Sequence, residues 1–214
     1  MNSRSQILKV ALKQMAAKGA DGTSLREIAA EVGIRKPSIM YHFESKASLR
    51  EAVLDEVLLH WGQTIPRLLE ASTLTGLQKF EALTKELLSF FVADPNRASF
   101  LLREMLDRPE QMRHLIDSHI SPWIKVVSQQ VIAGIEFGEV DRKVEPRAFV
   151  WSLVNAVVAN VALVDSFTRD APPSEKQTHQ DRLGAELVRM ARAGLFAQPS
   201  ITEPKSNQKE SAHG

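Results

Sequence analysis

The chain has 214 residues, enough for one ordinary domain with a tail or for a small domain beside a larger one. Hydrophobic residues make up 43% and charged residues 25%, a soluble globular composition, and the absence of cysteine excludes disulfides, thiolate metal sites and a thiol nucleophile. Net charge is only +1, but residues 1–50 carry nine Lys/Arg against four Asp/Glu and the remainder 18 against 22, so a basic head precedes an acidic body, as in many nucleic-acid readers.

Helical periodicity runs through the whole chain, with no strand alternation and no internal repeat, so the fold class is all-α. In the first helix Ile7, Leu8, Ala11, Leu12 and Met15 make one apolar face, and Gly19 suits its left-handed cap. A second helix opens at Thr23-Ser24-Leu25-Arg26-Glu27, where Ser24 and Glu27 have the spacing of a reciprocal capping box. Gly33 ends it. A third short helix follows at once, with Pro37 in its first turn, where a missing N–H costs nothing. Two short helices about a glycine turn are helix-turn-helix geometry, here about residues 24–43.

Ser45 can cap a fourth helix of roughly 25 residues, which Pro66 should kink. Further helices are expected near 77–93, 97–107, 109–137, 146–168 and 176–196, separated by Asp94-Pro95-Asn96, Gly138-Glu139-Val140-Asp141 and Asp170-Ala171-Pro172-Pro173-Ser174. Residues 199–214 are polar and aperiodic, a disordered tail. The first residues lack the apolar core of a secretory signal. The most hydrophobic run, Phe149 to Val164, is short and interrupted by Ser152, Asn155 and Asn160. A cytoplasmic protein with no membrane partner is therefore expected.

The first 60 residues resemble the tetracycline-repressor (TetR) family of bacterial regulators. The matching text is Arg4-x-x-Ile7-Leu8-x-x-Ala11, Gly19, Thr23-Ser24-Leu25-Arg26-Glu27-Ile28-Ala29, Val32-Gly33-Ile34, and Tyr41-His42-Phe43-x-Ser45-Lys46-x-x-Leu49. Two positions depart: Arg35 stands where the family often has Ser or Thr, and Pro37 where it often has glycine. The resemblance implies a helix-turn-helix DNA-binding domain at 1–50 and a helical regulatory and dimerisation domain at 51–198. It also implies a homodimer that represses from a palindromic double-stranded operator until a small-molecule effector releases it.

DNA contact is expected from Arg4, Thr23, Ser24, Arg35, Lys36, Pro37, Ser38, Tyr41, His42 and Lys46. Arg35 and Lys36 can donate to guanine or phosphate and Pro37 can meet a thymine methyl, while Thr23, Ser24 and Lys46 suit phosphate. Ile39 and Phe43 should point inward. The stretch 146–168 is apolar nearly all round and must bury two faces, so with the final helix it is the expected dimer interface. Phe149, Leu153, Val157, Val161, Val164, Leu183, Leu187, Met190 and Leu195 are the candidates. An effector pocket among the middle helices would draw on Phe90, Leu101, Met105, Trp123, Val127, Trp151 and Asn155.

His114, Asp117 and His119 form H-x-x-D-x-H, but a straight helix turns His119 away from His114, so no metal site and no cofactor are expected. There is no phosphate-binding glycine loop, no G-x-S-x-G and no H-E-x-x-H, and an enzyme is not expected. The alternatives left open are a ligand-independent regulator or activator and, remotely, an all-helical enzyme with an incidental helix-turn-helix.

Overall fold

The computed structural model describes residues 3–70, 76–168 and 170–196; the expected tail at 199–214 lies outside them. The helices are α1 (Ser3–Lys18), α2 (Leu25–Val32), α3 (Lys36–His42), α4 (Lys46–Glu70), α5 (Gly76–Ala93), α6 (Asn96–Asp107), α7 (Pro109–Leu115), α8 (Ser121–Glu136), α9 (Pro146–Phe167) and α10 (Pro173–Leu195). Among the described residues there is no strand, only an isolated antiparallel bridge between Val140 and Phe196. The all-α expectation holds.

Two boundaries differ from the expected ones. The single helix expected over 109–137 is interrupted by a π-helical turn, Ile116–Ile120. Pro122 has no N–H to give the preceding turn, so α8 starts afresh with proline in its first turn. The last helix starts at Pro173 rather than near 176, because Pro173 takes the first-turn position that suits it. Pro66 lies inside α4 without ending it.

One hydrophobic core runs from the head into the body. It joins Ile7, Met15, Ile28 and Ile39 to Leu49, Val53 and Leu54 of α4, to Phe100 of α6 and to Val157 of α9. The expected boundary at 50/51 therefore falls within α4, which serves both parts. A second core gathers Phe80, Ile124, Val131, Val140, Val150, Ala191 and Leu195 under α8, α9 and α10. Helix α9 packs against α5, α6, α8 and α10. Its stretch Pro146–Val164 is long and apolar enough to cross a membrane by length and composition alone.

Candidate nucleic-acid interface

The turn between α2 and α3 fixes where α3 points. Gly33 adopts φ +79°, the left-handed region that a side chain resists. The Ile34 N–H donates to the Ala29 carbonyl at 2.9 Å and the Gly33 N–H to Ala30 at 3.2 Å, the paired bonds of a Schellman cap. Ser24 caps α2, its hydroxyl accepting from the Glu27 N–H at 3.1 Å. The return arm expected of a capping box is not made: the Glu27 carboxylate pairs with Lys18 at 3.1 Å, across the turn between α1 and α2. Ser24→Ala is expected to cost about 1 kcal/mol of stability, the usual worth of an N-cap, read from urea unfolding. At α4 the box is reciprocal: Ser45 Oγ accepts from the Ser48 N–H and Ser48 Oγ from the Ser45 N–H, each at 3.0 Å.

Helix α3 divides cleanly. Ile39 and Phe43 are buried and hold it to α1 and α2. Arg35, Lys36, Pro37, Ser38, Met40 and Tyr41 are exposed. Tyr41 is 87% exposed, an unusual state for a large aromatic ring. His42 is half-buried between the Tyr41 ring (5.3 Å, edge-on) and the Phe43 ring (6.3 Å). Met40, left without a role by the sequence, belongs to the same outward face, and its place one turn after Lys36 was the available signal.

The flanking residues behave less uniformly. The Arg4 guanidinium lies over the Phe43 ring at 5.3 Å, so an exposed cation is anchored beside α3. Ser24 is exposed at the start of α2. Thr23 corrects the expectation: it is buried, and its hydroxyl donates to the Gly19 carbonyl at 2.8 Å, closing the loop instead of facing solvent. Lys46 Nζ donates to the carbonyls of Asp21 (3.0 Å) and Thr23 (3.1 Å), tying that loop to the first turn of α4. Behind the face, Glu31 accepts from Lys13 and from Gln14, each at 2.7 Å. These bonds, Lys13 foremost, hold its carboxyl below the ordinary carboxylate range. Their contribution is present at neutral pH and is lost as pH falls through that lowered value.

The expected interface residues divide between two faces of the last helices. Val157, Val161, Val164 and Leu195 are buried within their own chain, and Phe149, Leu153, Leu183 and Leu187 are half-buried. Met190 is 57% exposed. The outward face of α9 is instead Ser152, Asn155, Leu163 and Phe167, the last 83% exposed. Nearly continuous apolar sequence offered no means of choosing between the two faces.

The seven expected pocket residues do not surround one cavity. Phe90 alone among them lines a cleft of about 890 Å³ between α1, α4 and the turn joining α5 to α6, with Leu8, Leu12, Val53, Val57 and His60. Leu101 is core, Trp123, Val127 and Trp151 are half-buried, and Met105 and Asn155 are exposed. His114, Asp117 and His119 are spread along α7 and the π-turn, where the His119 ring and the Ser118 hydroxyl are 2.7 Å apart. Among the described residues no cluster could hold a metal.

The comparisons agree with this geometry. Residues 7–53 match the family described as "Bacterial regulatory proteins, tetR family". The biofilm operon icaADBC HTH-type negative transcriptional regulator IcaR of Staphylococcus aureus is 44% identical over 48 residues, 22% of this chain and 26% of that protein. The chain thus spans about a quarter of the curated relatives it matches. Over nearly its whole length it is similar in fold to the ketosteroid transcriptional regulator KstR2 of Mycobacterium tuberculosis (TM-score 0.76, 19% identity, 92% of this chain and 96% of that one). It is similar also to reduced NemR of Escherichia coli (TM-score 0.67, 17% identity, 94% and 100%). The head, residues 7–53, is thus similar in sequence to the tetR family of bacterial regulatory proteins, and the chain as a whole is similar in fold to these solved regulators.

Proposed function

We propose that this protein is a cytoplasmic transcriptional repressor that grips a palindromic operator as a homodimer and lets go when a small molecule binds its body. The observation that carries the reading is the outward face of α3: two cations, Pro37, Met40 and an almost fully exposed Tyr41 on a helix whose other face is locked into the head. A helix presented that way fits the major groove, where Arg and Lys read guanine and apolar groups meet thymine methyls. Arg4 and Ser24 flank it as phosphate contacts. The similarity of the head to that of a negative transcriptional regulator supports repression as the sign of control. The cleft beside Phe90 offers an effector room next to α4, the helix shared by head and body.

The test is fluorescence anisotropy of labelled DNA from beside the protein's own gene, with an unrelated duplex as control, at several salt concentrations. Operator preference and a steep fall with salt are expected. Lys36→Ala should make the salt slope shallower by about one if the lysine meets a phosphate, or relax one base position if it meets guanine. A protein that prefers no sequence, even after selection from random DNA, would end this reading.

A further inference from the structure

Glu104 is a carboxylate only 1% exposed, on the same buried stripe of α6 as Phe100 and Leu101 one turn before it. Its Oε2 accepts from Arg50 Nη1 of α4 at 2.6 Å and its Oε1 from Arg108 Nη1, one turn on, at 3.3 Å. Arg50 Nη2 continues to Gln111 of α7 at 2.8 Å. Arg108 Nη2 reaches out of the body to the Asp21 carboxylate at 2.6 Å. Asp21 is thereby held twice: its side chain by α6, and its carbonyl by Lys46, which also holds the Thr23 carbonyl. Beside this chain Arg103 donates to the last carbonyls of α1, Ala16 at 2.7 Å and Ala17 at 3.1 Å.

We propose that Glu104 is a positioning residue for DNA binding, acting through Arg108, Asp21 and Lys46 on the starts of α2 and α4. The inference rests on the reading of the head as a DNA binder. Each member has a directional partner. Arg108 can meet Asp21 only where Glu104 places its guanidinium, and Asp21 sets the loop from which Ser24 opens α2. A buried charge that must find charged partners specifies one arrangement where an apolar contact would tolerate several. The path also crosses from body to head without passing through α3. It therefore biases how the head sits without altering which side chains reach the bases. A shift of α6 would be felt at the loop before α2 through hydrogen bonds that either hold or break.

The experiment uses the full-length protein and an operator obtained by selection from random DNA. The readout is the ratio of operator affinity to control-duplex affinity, since a changed charge near DNA moves both duplexes together. Arg108→Met keeps most of the packing stem, and Asp21→Asn alters an exposed side chain, so both should fold with melting temperatures close to wild type. Each is expected to lower the ratio about five-fold, a typical coupling through such a network. The double variant should be no worse than the poorer single, because both cut one link. Glu104→Gln should behave like Arg108→Met; if it does not fold, the other two decide. Ratios unchanged within two-fold, or losses that multiply in the double variant, would overturn the proposal. A wild-type protein with no preferred sequence would instead overturn the DNA-binding reading beneath it.

Discussion

Glu104→Ala is expected to remove about 3–5 kcal/mol of folding stability, among the largest losses available to a single substitution in this chain. The truncated carboxylate leaves Arg50, itself only 7% exposed, as a buried cation with Gln111 at 2.8 Å and the exposed Glu51 carboxylate at 4.0 Å. Removing both charges at once has a different outcome. Arg50→Met with Glu104→Met replaces the pair by apolar groups of similar length, and such exchanges are often neutral or stabilising. Most of the lost stability should therefore return in the double variant. Urea unfolding of wild type, Glu104→Ala and the double variant measures both changes. A loss below about 1 kcal/mol for Glu104→Ala would mean that water reaches the pair, since that is the range of exposed ion pairs.

Leu163→Glu is expected to convert a dimer of 23.9 kDa protomers into monomers and to abolish tight operator binding. Leu163 is 48% exposed and Phe167, one turn further on the same side of α9, 83%. Met190, 57% exposed, lies on α10, which packs against α9. Covered by a second copy, these side chains become the desolvated centre of an interface, where one residue is worth about 2–4 kcal/mol and a buried carboxylate finds no partner. Losing the second head also removes the second half-site. Sedimentation velocity of wild type and variant decides the matter. A wild-type monomer at micromolar concentration would overturn the dimer, and a variant that stays dimeric would place the interface elsewhere.

The head was legible because its punctuation is local. Gly19, Ser24, Gly33, Pro37 and Ser45 each mark a boundary for a reason confined to a few residues, and all five stand where the chain turns. Burial of Ile39 and Phe43 followed from helical period alone. Thr23 was misread because one residue type serves as an exposed cap and as a buried loop clasp, and only its neighbours distinguish them. The interruption at Ile116–Ile120 was missed because apolar period continues through it, although Pro122 was the cue. The polar chain through Glu104 joins residues as far apart as Asp21 and Arg108, which no spacing rule connects. One local sign existed: Glu104 falls on the same stripe of α6 as Phe100 and Leu101, where a carboxylate needs partners.

The outward face of α9, with Leu163 and Phe167 exposed on it, has a consequence in mass action. Only 28% of the Pro146–Val164 window is buried within one protomer. When a second copy covers the rest, folding and pairing become linked equilibria, and apparent stability rises with the logarithm of the protein's own concentration. The supply of competent dimer then varies with the square of free protomer wherever monomer predominates. A regulator kept at a few copies per cell would respond to small changes in its own synthesis more than proportionally, with no effector involved.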